Sequence, residues 1–340
     1  MQTKPRQTAE VLRADTPELF RATVHRAAEA LRAGEVVALP TETVYGLAAN
    51  ALNAKAVSRI FEIKGRPAHN PLIVHVATLE MARSCVTDWP AVADKLAKAF
   101  WPGPLTLVLP RATAIPDVVT AGGRTVGVRW PSHSLIQAVI RECGFPLAAP
   151  SANLSNRVSP TSAEHVRKQL ADKLRLIVDG GQSQVGIEST VLDVSVAPPR
   201  ILRPGMIHEQ ALLAVTGILA SGSGGASAAL KSPGLLRKHY SPKAKLVVWS
   251  WRGEEELRER SAECGVPSAG IHVIAHTRVP SGGCFGRVSV IPRDAGAFAR
   301  AIYAELHACD DAGAELIIVE APPVSMEWRA VADRLGRAAA

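Results

Sequence analysis

Aromatic residues are scarce in this 340-residue chain: six Trp, six Phe and three Tyr, or 4% of the total. That argues against a stacking platform for single-stranded nucleic acid, which needs several rings on one surface. Cysteine is scarce too. Cys85, Cys143, Cys264, Cys284 and Cys309 form no Cys-x-x-Cys pair and are odd in number. A zinc site or disulfide framework is therefore not expected, and a reducing, cytoplasmic setting is. No apolar run approaches the ~18 residues that span a bilayer. Residues 1–15 are polar and lack the apolar stretch of a signal peptide. The most legible catalytic signatures are missing as well: no Gly-x-x-x-x-Gly-Lys phosphate loop, no His-Glu-x-x-His and no Ser-centred elbow.

What is present is ordinary in bulk. Apolar residues make up 47% and charged residues 21%, as in a soluble globular protein. The length predicts two domains. A net charge of +8 favours anionic partners such as nucleotides, nucleic acid or acidic surfaces. It reads equally as an Arg-rich surface without a single function.

Helix and strand signals alternate along the first 220 residues. Thr16-Pro17-Glu18 opens a helix whose Phe20, Val24, Ala27, Ala28 and Leu31 share a face, ended by Gly34. Strands are predicted over 36–39, 72–76, 105–109, 126–129, 146–149, 176–179 and 190–194, with a helix over 55–63. Thr161-x-x-Glu164 reads as a capping box for the helix holding Val166 and Leu170. Residues 221–227, Ser-Gly-Ser-Gly-Gly-Ala-Ser, read as a flexible linker. From Lys245 on, three strands alternate with three helices, which predicts a small parallel three-layer unit.

Three short segments stand at the ends of predicted elements: PTETVYGL (40–47), KGRP (64–67) and PSAN (150–153). Ligands of open α/β sheets bind at the carboxyl ends of strands. Arg66 offers a planar fork and Lys64 a compact charge; Ser151 and Asn153 offer a hydroxyl and an amide. Each has a plainer reading when taken singly. Lys64 and Arg66 serve as cations near a helix C-terminus, Ser151 and Asn153 as turn and cap residues, and Thr41, Thr43 and Tyr45 as hydroxyls satisfying turn backbone. Taken together they equip a site that positions and neutralises a polyphosphate. His75, in an apolar strand, reads as a core residue, and with His69 in a loop no metal spacing results.

These segments, with FEIKGRPAHNPL (61–72), WPGPLT (101–106), VGVRWP (126–131), PLAAPSANLS (146–155), SPTSAEHV (159–166), DGG (179–181), VGIESTVLD (185–193), ILRPG (201–205), SPGLLRKHYSP (232–242) and DRLGRAA (333–339), carry a resemblance. The chain is similar to the threonylcarbamoyl-AMP synthase family in its long, two-domain form. The resemblance implies an α/β fold: a YrdC-like twisted mixed sheet with flanking helices over 1–220, a linker and lid over 221–244, and a small Rossmann-like three-layer α/β/α domain over 245–340. It implies a nucleotidyltransferase that condenses L-threonine, bicarbonate and ATP, with Mg2+ on the phosphates, for modification of tRNA position 37.

By resemblance, Lys64 and Arg66 carry catalysis. They bind ATP together with Asn70, Thr120, Ser151, Asn153, Ser159, Arg203 and Tyr240. Thr43, His75, Arg124, Ala149 and Ser189 surround L-threonine, with Arg124 on its carboxylate. No metal is held by protein side chains. His239-Tyr240 folds back as a lid, although this chain has Leu235-Leu236-Arg237-Lys238 where the family tends to have Met-Lys-Tyr-Arg. The implied partners are the small substrates, a transient contact with the downstream tRNA transferase complex, and weak RNA binding; no membrane is involved. Two other readings stay open. One is a nucleic-acid-binding module, which +8 permits. The other is a carbamoyltransferase like the hydrogenase-maturation proteins, whose paired Cys-x-x-Cys fingers are not visible here.

Overall fold

A computed structural model of the protein describes residues 8–220, 239–281 and 283–340. The predicted linker at 221–227, the Leu235-Leu236-Arg237-Lys238 departure and the lid segment up to residue 238 lie outside the described residues. The chain divides into two compact units. The first takes the described residues of Met1–Ser155, Pro160–Gln184 and Glu188–Leu235; the second takes those of Asn156–Ser159, Val185–Ile187 and Leu236–Ala340. Among the described residues, no helix is long and apolar enough to cross a membrane.

The first unit begins β1 (Glu10–Arg13), α1 (Pro17–Arg32), β2 (Val37–Leu39), β3 (Gly46–Asn50), α2 (Ala54–Lys64) and β4 (Ile73–His75). It continues α3 (Leu79–Ser84), α4 (Ala91–Phe100), β5 (Leu105–Pro110), α5 (Asp117–Thr120), β6 (Thr125–Arg129) and α6 (Ser134–Cys143). It ends β7 (Leu147–Ala148), α7 (Ala163–Leu170), β8 (Leu176–Asp179), β9 (Thr190–Asp193), β10 (Arg200–Arg203) and α8 (Glu209–Thr216). The ten strands form one mixed sheet in the order β1-β8-β2-β3-β7-β4-β6-β5-β9-β10. β1, β8 and β2 run parallel, β3 reverses against β2, and β4 and β6 are again parallel.

Strand alternation sorts the side chains onto two faces. Leu47, Val74, Leu105, Leu107, Val126, Val128 and Ala148 face one core with Val57 and Ile60 of α2, Leu96 of α4 and Val166 of α7. On the other face, Val37, Leu39, Ala48, Leu147 and Val178 pack against Val24 and Leu31 of α1 and Ile136 and Ile140 of α6. Farther along that second face, β4, β6 and β5 present His75, Arg129 and Thr106 instead of aliphatic residues. All three are buried polar residues.

Helix starts follow their caps. The Thr16 hydroxyl accepts from Leu19 N, with Pro17 in the first turn, as the sequence predicts. The predicted capping box is corrected by one residue: Ser162, not Thr161, accepts from His165 N at the start of α7. Thr161 Oγ1 instead accepts from Gln182 Nε2. β1, β3 and β10 carry no strong sequence signal. β3 reads Gly-Leu-Ala-Ala-Asn with no β-branched residue, so it is a strand only because β2 and β7 flank it.

The second unit holds β11 (Lys245–Trp249), α9 (Glu254–Ala262), β12 (Ile271–Ala275), β13 (Arg287–Val290), α10 (Ala295–Asp311), β14 (Leu316–Glu320) and α11 (Arg329–Ala338). Its four strands, in the order β11-β14-β12-β13, are all parallel. The predicted parallel layer is there, with β13 as a fourth strand that the sequence reading missed. Leu257 of α9 packs on Ile271, Val273, Leu316 and Ile318. The Glu320 carboxylate at the end of β14 accepts from the backbone N–H groups of His276, Thr277 and Arg278, which pins the loop after β12.

Candidate functional site

The end of α2 places the first two candidates. Gly65 sits at φ 60° in the left-handed region, Gly65 N donates to Glu62 O, and Arg66 N donates to Phe61 O at 3.0 Å. This Schellman turn reverses the chain so that Lys64 and Arg66 leave it in different directions. The buried Lys64 Nζ donates to Ser151 O and Asn153 O, both at 2.5 Å, and to Asn153 Oδ1 at 3.2 Å. Three acceptors match the three donors of an ammonium. Burial, and then the Arg66 charge, push the Lys64 pKa well down.

Arg66 donates from Nε to Asn70 O at 3.1 Å and from Nη2 to Pro71 O at 3.0 Å, closing the 66–71 loop on itself. Asn70 is 1% exposed, and neither its Nδ2 nor its Oδ1 has a hydrogen-bond partner. A buried amide is costly to leave unpaired, so it calls for a ligand or water. Lys64, Arg66, Asn70, Ser151 and Asn153 thus share one region.

A second group forms across β5, β9 and β10. Arg203 donates from Nε and Nη2 to Ser189 O at 3.1 and 2.9 Å, and from Nη2 to Ser189 Oγ at 3.1 Å. Ser189 Oγ lies 2.8 Å from Thr106 Oγ1. Thr106 is a polar residue in a buried strand that the sequence reading passed over.

A third group joins the 40–47 segment to the end of β6. Arg129 is 3% exposed and donates from Nη1 to Thr43 Oγ1 at 2.9 Å and from Nε to Gly103 O at 3.3 Å. Its Nη2 lies 2.6 Å from Oε1 of the equally buried Glu42. Neither Arg129 nor Glu42 was among the residues expected from sequence. The signal was available: Gly127 and Arg129 alternate with Val126 and Val128, so a cation ends the face opposite the core. Arg124, the expected carboxylate partner, is exposed ahead of β6. Thr120 ends α5 and donates to Gly123 O at 3.0 Å. Ala149 N donates to Ile73 O at 3.0 Å beside β4. Tyr45 is fully buried, and its hydroxyl donates to Gly181 O and accepts from Gly180 N, tying the 40–47 segment to the DGG turn.

His75 is 3% exposed with no partner on Nδ1. Burial, and then the Arg129 charge, push it down to about 3, so the ring is neutral at pH 7. Its pKa in the unfolded chain is near 6.5. Between 6.5 and 3 the unfolded chain binds a proton that the native state refuses. The associated stability is therefore complete above 6.5 and is lost as pH falls toward 3, at up to about 1.4 kcal/mol per pH unit. His75→Asn is expected to flatten that slope. Urea midpoints at pH 7 and pH 5 check it, and an unchanged pH sensitivity in the variant would contradict it.

Ser159 and Tyr240 lie in the second unit. His307 Nε2 is 3.1 Å from Ser159 O. Tyr240 is buried at φ 65°, stacked on Tyr303 at 5.8 Å with the Arg334 guanidinium 5.4 Å from its ring. The DRLGRAA segment thus supplies Arg334, which also pairs with Asp333 at 2.7 Å. Among the described residues, no group of three or more His, Cys, Asp or Glu side chains gathers to hold a metal. Burial pushes the Cys85 and Cys143 thiols up to about 11, which makes them poor nucleophiles.

The protein is a mixed α/β sheet whose strands carry buried cations and paired hydroxyls, with the unpartnered Asn70 amide in the loop after α2. A family model named for Sua5, YciO and YrdC and described as "Telomere recombination" matches residues 29–205. A second, described as "Threonylcarbamoyl-AMP synthase, C-terminal domain", matches residues 206–340. The chain belongs to this family, in its two-domain form. The threonylcarbamoyl-AMP synthase of Bacillus subtilis is 40% identical over 329 residues, covering 93% of this chain and 92% of that protein. The one of Pyrococcus abyssi is 48% identical over 225 residues, 65% of this chain and 66% of that protein. The crystal structure of P. abyssi Sua5 complexed with L-threonine matches at 38% identity with a TM-score of 0.86, over 97% of this chain and 96% of that one.

Proposed function

We propose that the protein is an L-threonylcarbamoyladenylate synthase, a nucleotidyltransferase that supplies threonylcarbamoyl-AMP for modification of position 37 in tRNAs reading ANN codons. The observation that carries this reading is the Lys64–Arg66–Asn70 group beside the Ser151–Asn153 turn, in a chain of this family. The amine of L-threonine takes up bicarbonate as a carbamate, releasing water. A carbamate oxygen then attacks the α-phosphorus of ATP, the bond to the β-phosphate oxygen breaks, and pyrophosphate leaves.

Such a displacement asks for alignment and charge neutralisation. Arg66 and the Asn70 amide face the phosphates, and Lys64 adds its charge from beneath the turn that carries Ser151 and Asn153. A bound polyanion raises the depressed Lys64 pKa again, since an opposite charge favours the ammonium. Thr120 and Arg203 border the nucleotide. Thr43, His75, Ala149, Ser189 and Arg124 surround the amino acid. Magnesium arrives on the triphosphate, whose oxygens are its ligands. In this reading residues 1–220 are the catalytic domain, 221–244 the link and 245–340 the C-terminal domain, and the enzyme works in the cytoplasm.

Purified protein given ATP, magnesium and bicarbonate is expected to release pyrophosphate when L-threonine is added and much less with L-serine. No threonine-dependent release from a folded, ATP-binding protein would sink the proposal. Salt-dependent RNA binding without ATP dependence would then favour the nucleic-acid reading.

A further inference from the structure

Ser159 and Tyr240, the two residues of the second unit expected to touch ATP, are both held by one helix. Ser159 is fully buried, and its carbonyl oxygen lies 3.1 Å from His307 Nε2. A carbonyl only accepts, so that ring nitrogen carries the proton and donates. Tyr240 stacks on Tyr303 at 5.8 Å, with 27° between the ring planes. Tyr303 and His307 belong to α10 and stand four residues apart, so they share a face of it. A third contact continues that face by another turn. Gly186 sits at φ 84°, and a Cβ there would run into Ala299 O and Arg300 Cα. Ala299, Tyr303 and His307 are all buried, and together they span about 12 Å of helix.

The held segments also hold each other. Ser241 N donates to Asn156 O at 2.8 Å, and Arg157 and Ser241 form a parallel bridge. On the other side, His239 N donates to Arg337 O at 3.1 Å. Tyr240 is thus fixed through both of its neighbours. Its φ of 65° is a left-handed conformation that a bulky residue adopts only under constraint. The chain itself joins these segments to other residues assigned to the site. Asn156 follows Asn153 by three residues, and Ile187 precedes Ser189 by two.

We infer that His307 and Tyr303 of α10 are positioning residues for nucleotide binding: His307 sets Ser159 through its carbonyl, and Tyr303 sets the ring of Tyr240. They act through those two residues. A helix suits the task, because its hydrogen-bonded backbone keeps the spacing of its side chains fixed. In this reading the C-terminal domain takes part in ATP binding, and α10 is the element through which it does so. This rests on the proposed reaction, and it concerns how that enzyme holds its nucleotide.

The test is steady-state pyrophosphate release by the full-length protein, with ATP and L-threonine varied in turn. His307→Leu is expected to raise the KM for ATP about tenfold, the worth of one hydrogen bond kept in place. Both kcat and the KM for L-threonine should stay within about twofold, as when ground-state binding alone is lost. His307→Gln, which keeps an N–H of similar reach, is expected to recover most of the loss. Tyr303→Leu is expected to raise the KM for ATP similarly, and Tyr303→Phe, which keeps the ring, to stay near wild type. Thermal denaturation reports whether each variant folds. His307→Asn, polar but too short to reach Ser159 O, stands in if His307→Leu does not. An unchanged KM for ATP in the folded variants would overturn the inference. Equal rises in both KM values that glutamine and phenylalanine do not reverse would mean a merely structural role and overturn it too. Failure of the proposed reaction shows separately, as wild type that releases no pyrophosphate with threonine; calorimetric ATP binding to the same variants then carries the test.

Discussion

Arg66→Ala is expected to lower threonine-dependent pyrophosphate release by roughly 10²–10³-fold, the loss typical of removing one preorganised charge stabiliser. Two effects combine in this substitution. The planar fork that faces the phosphates disappears, and so do the bonds from Nε to Asn70 O and from Nη2 to Pro71 O that close the 66–71 loop. Asn70 and its unpartnered amide then lose their fixed position. Each orphaned carbonyl costs about 1–3 kcal/mol, which lowers the melting temperature but leaves α2 and its Schellman turn in place. Arg66→Lys should fall between the two, since it keeps the charge and loses the fork. Steady-state pyrophosphate release, with circular dichroism as the control for folding, measures both. A folded alanine variant that turns over like wild type would remove Arg66 from the site.

The second large effect is expected at Gly205, in the ILRPG turn. A Cβ there would stand 2.4 Å from Thr190 N, 2.7 Å from Thr190 Oγ1 and 2.8 Å from Ser189 C. Two of these atoms are backbone, so neither strand can yield by rotating a side chain. Thr190 is held as well, its N donating to Pro104 O and its hydroxyl to Ile207 O. Overpacking costs about 1–3 kcal/mol in typical cores, and Gly205→Ala should reach the top of that range. The displaced residue next to Thr190 is Ser189, which Arg203 grips at both its carbonyl and its hydroxyl. The variant should therefore also raise the KM for L-threonine. Gly336→Ala, in α11 with nothing within 4 Å of the added carbon, should keep or slightly raise stability. Gly205→Ala with wild-type melting and wild-type KM would contradict the close approach.

Local chemistry was readable from the chain. Thr16-Pro17-Glu18 marks the start of α1, and Lys64-Gly65-Arg66 marks the end of α2, because caps and left-handed turns depend on residues within a few positions of one another. The apolar runs at 105–109 and 126–129 marked β5 and β6 as strands. The absence of a phosphate loop left isolated cations and hydroxyls as the natural candidates for the site. Tertiary structure decided what no local pattern holds. Thr43 meets Arg129 across 86 residues and Lys64 meets Asn153 across 89. Each partner taken alone looks like a turn residue or a surface cation. β3 has no strand propensity of its own and exists through its neighbours. Alternation assigns a side chain to a face, but it does not say which part of that face a helix will cover. Helices α1 and α6 bury the β8–β7 half of the second face. The half carrying His75, Arg129 and Thr106 is polar, and burying a charge requires a partner supplied from elsewhere in the fold.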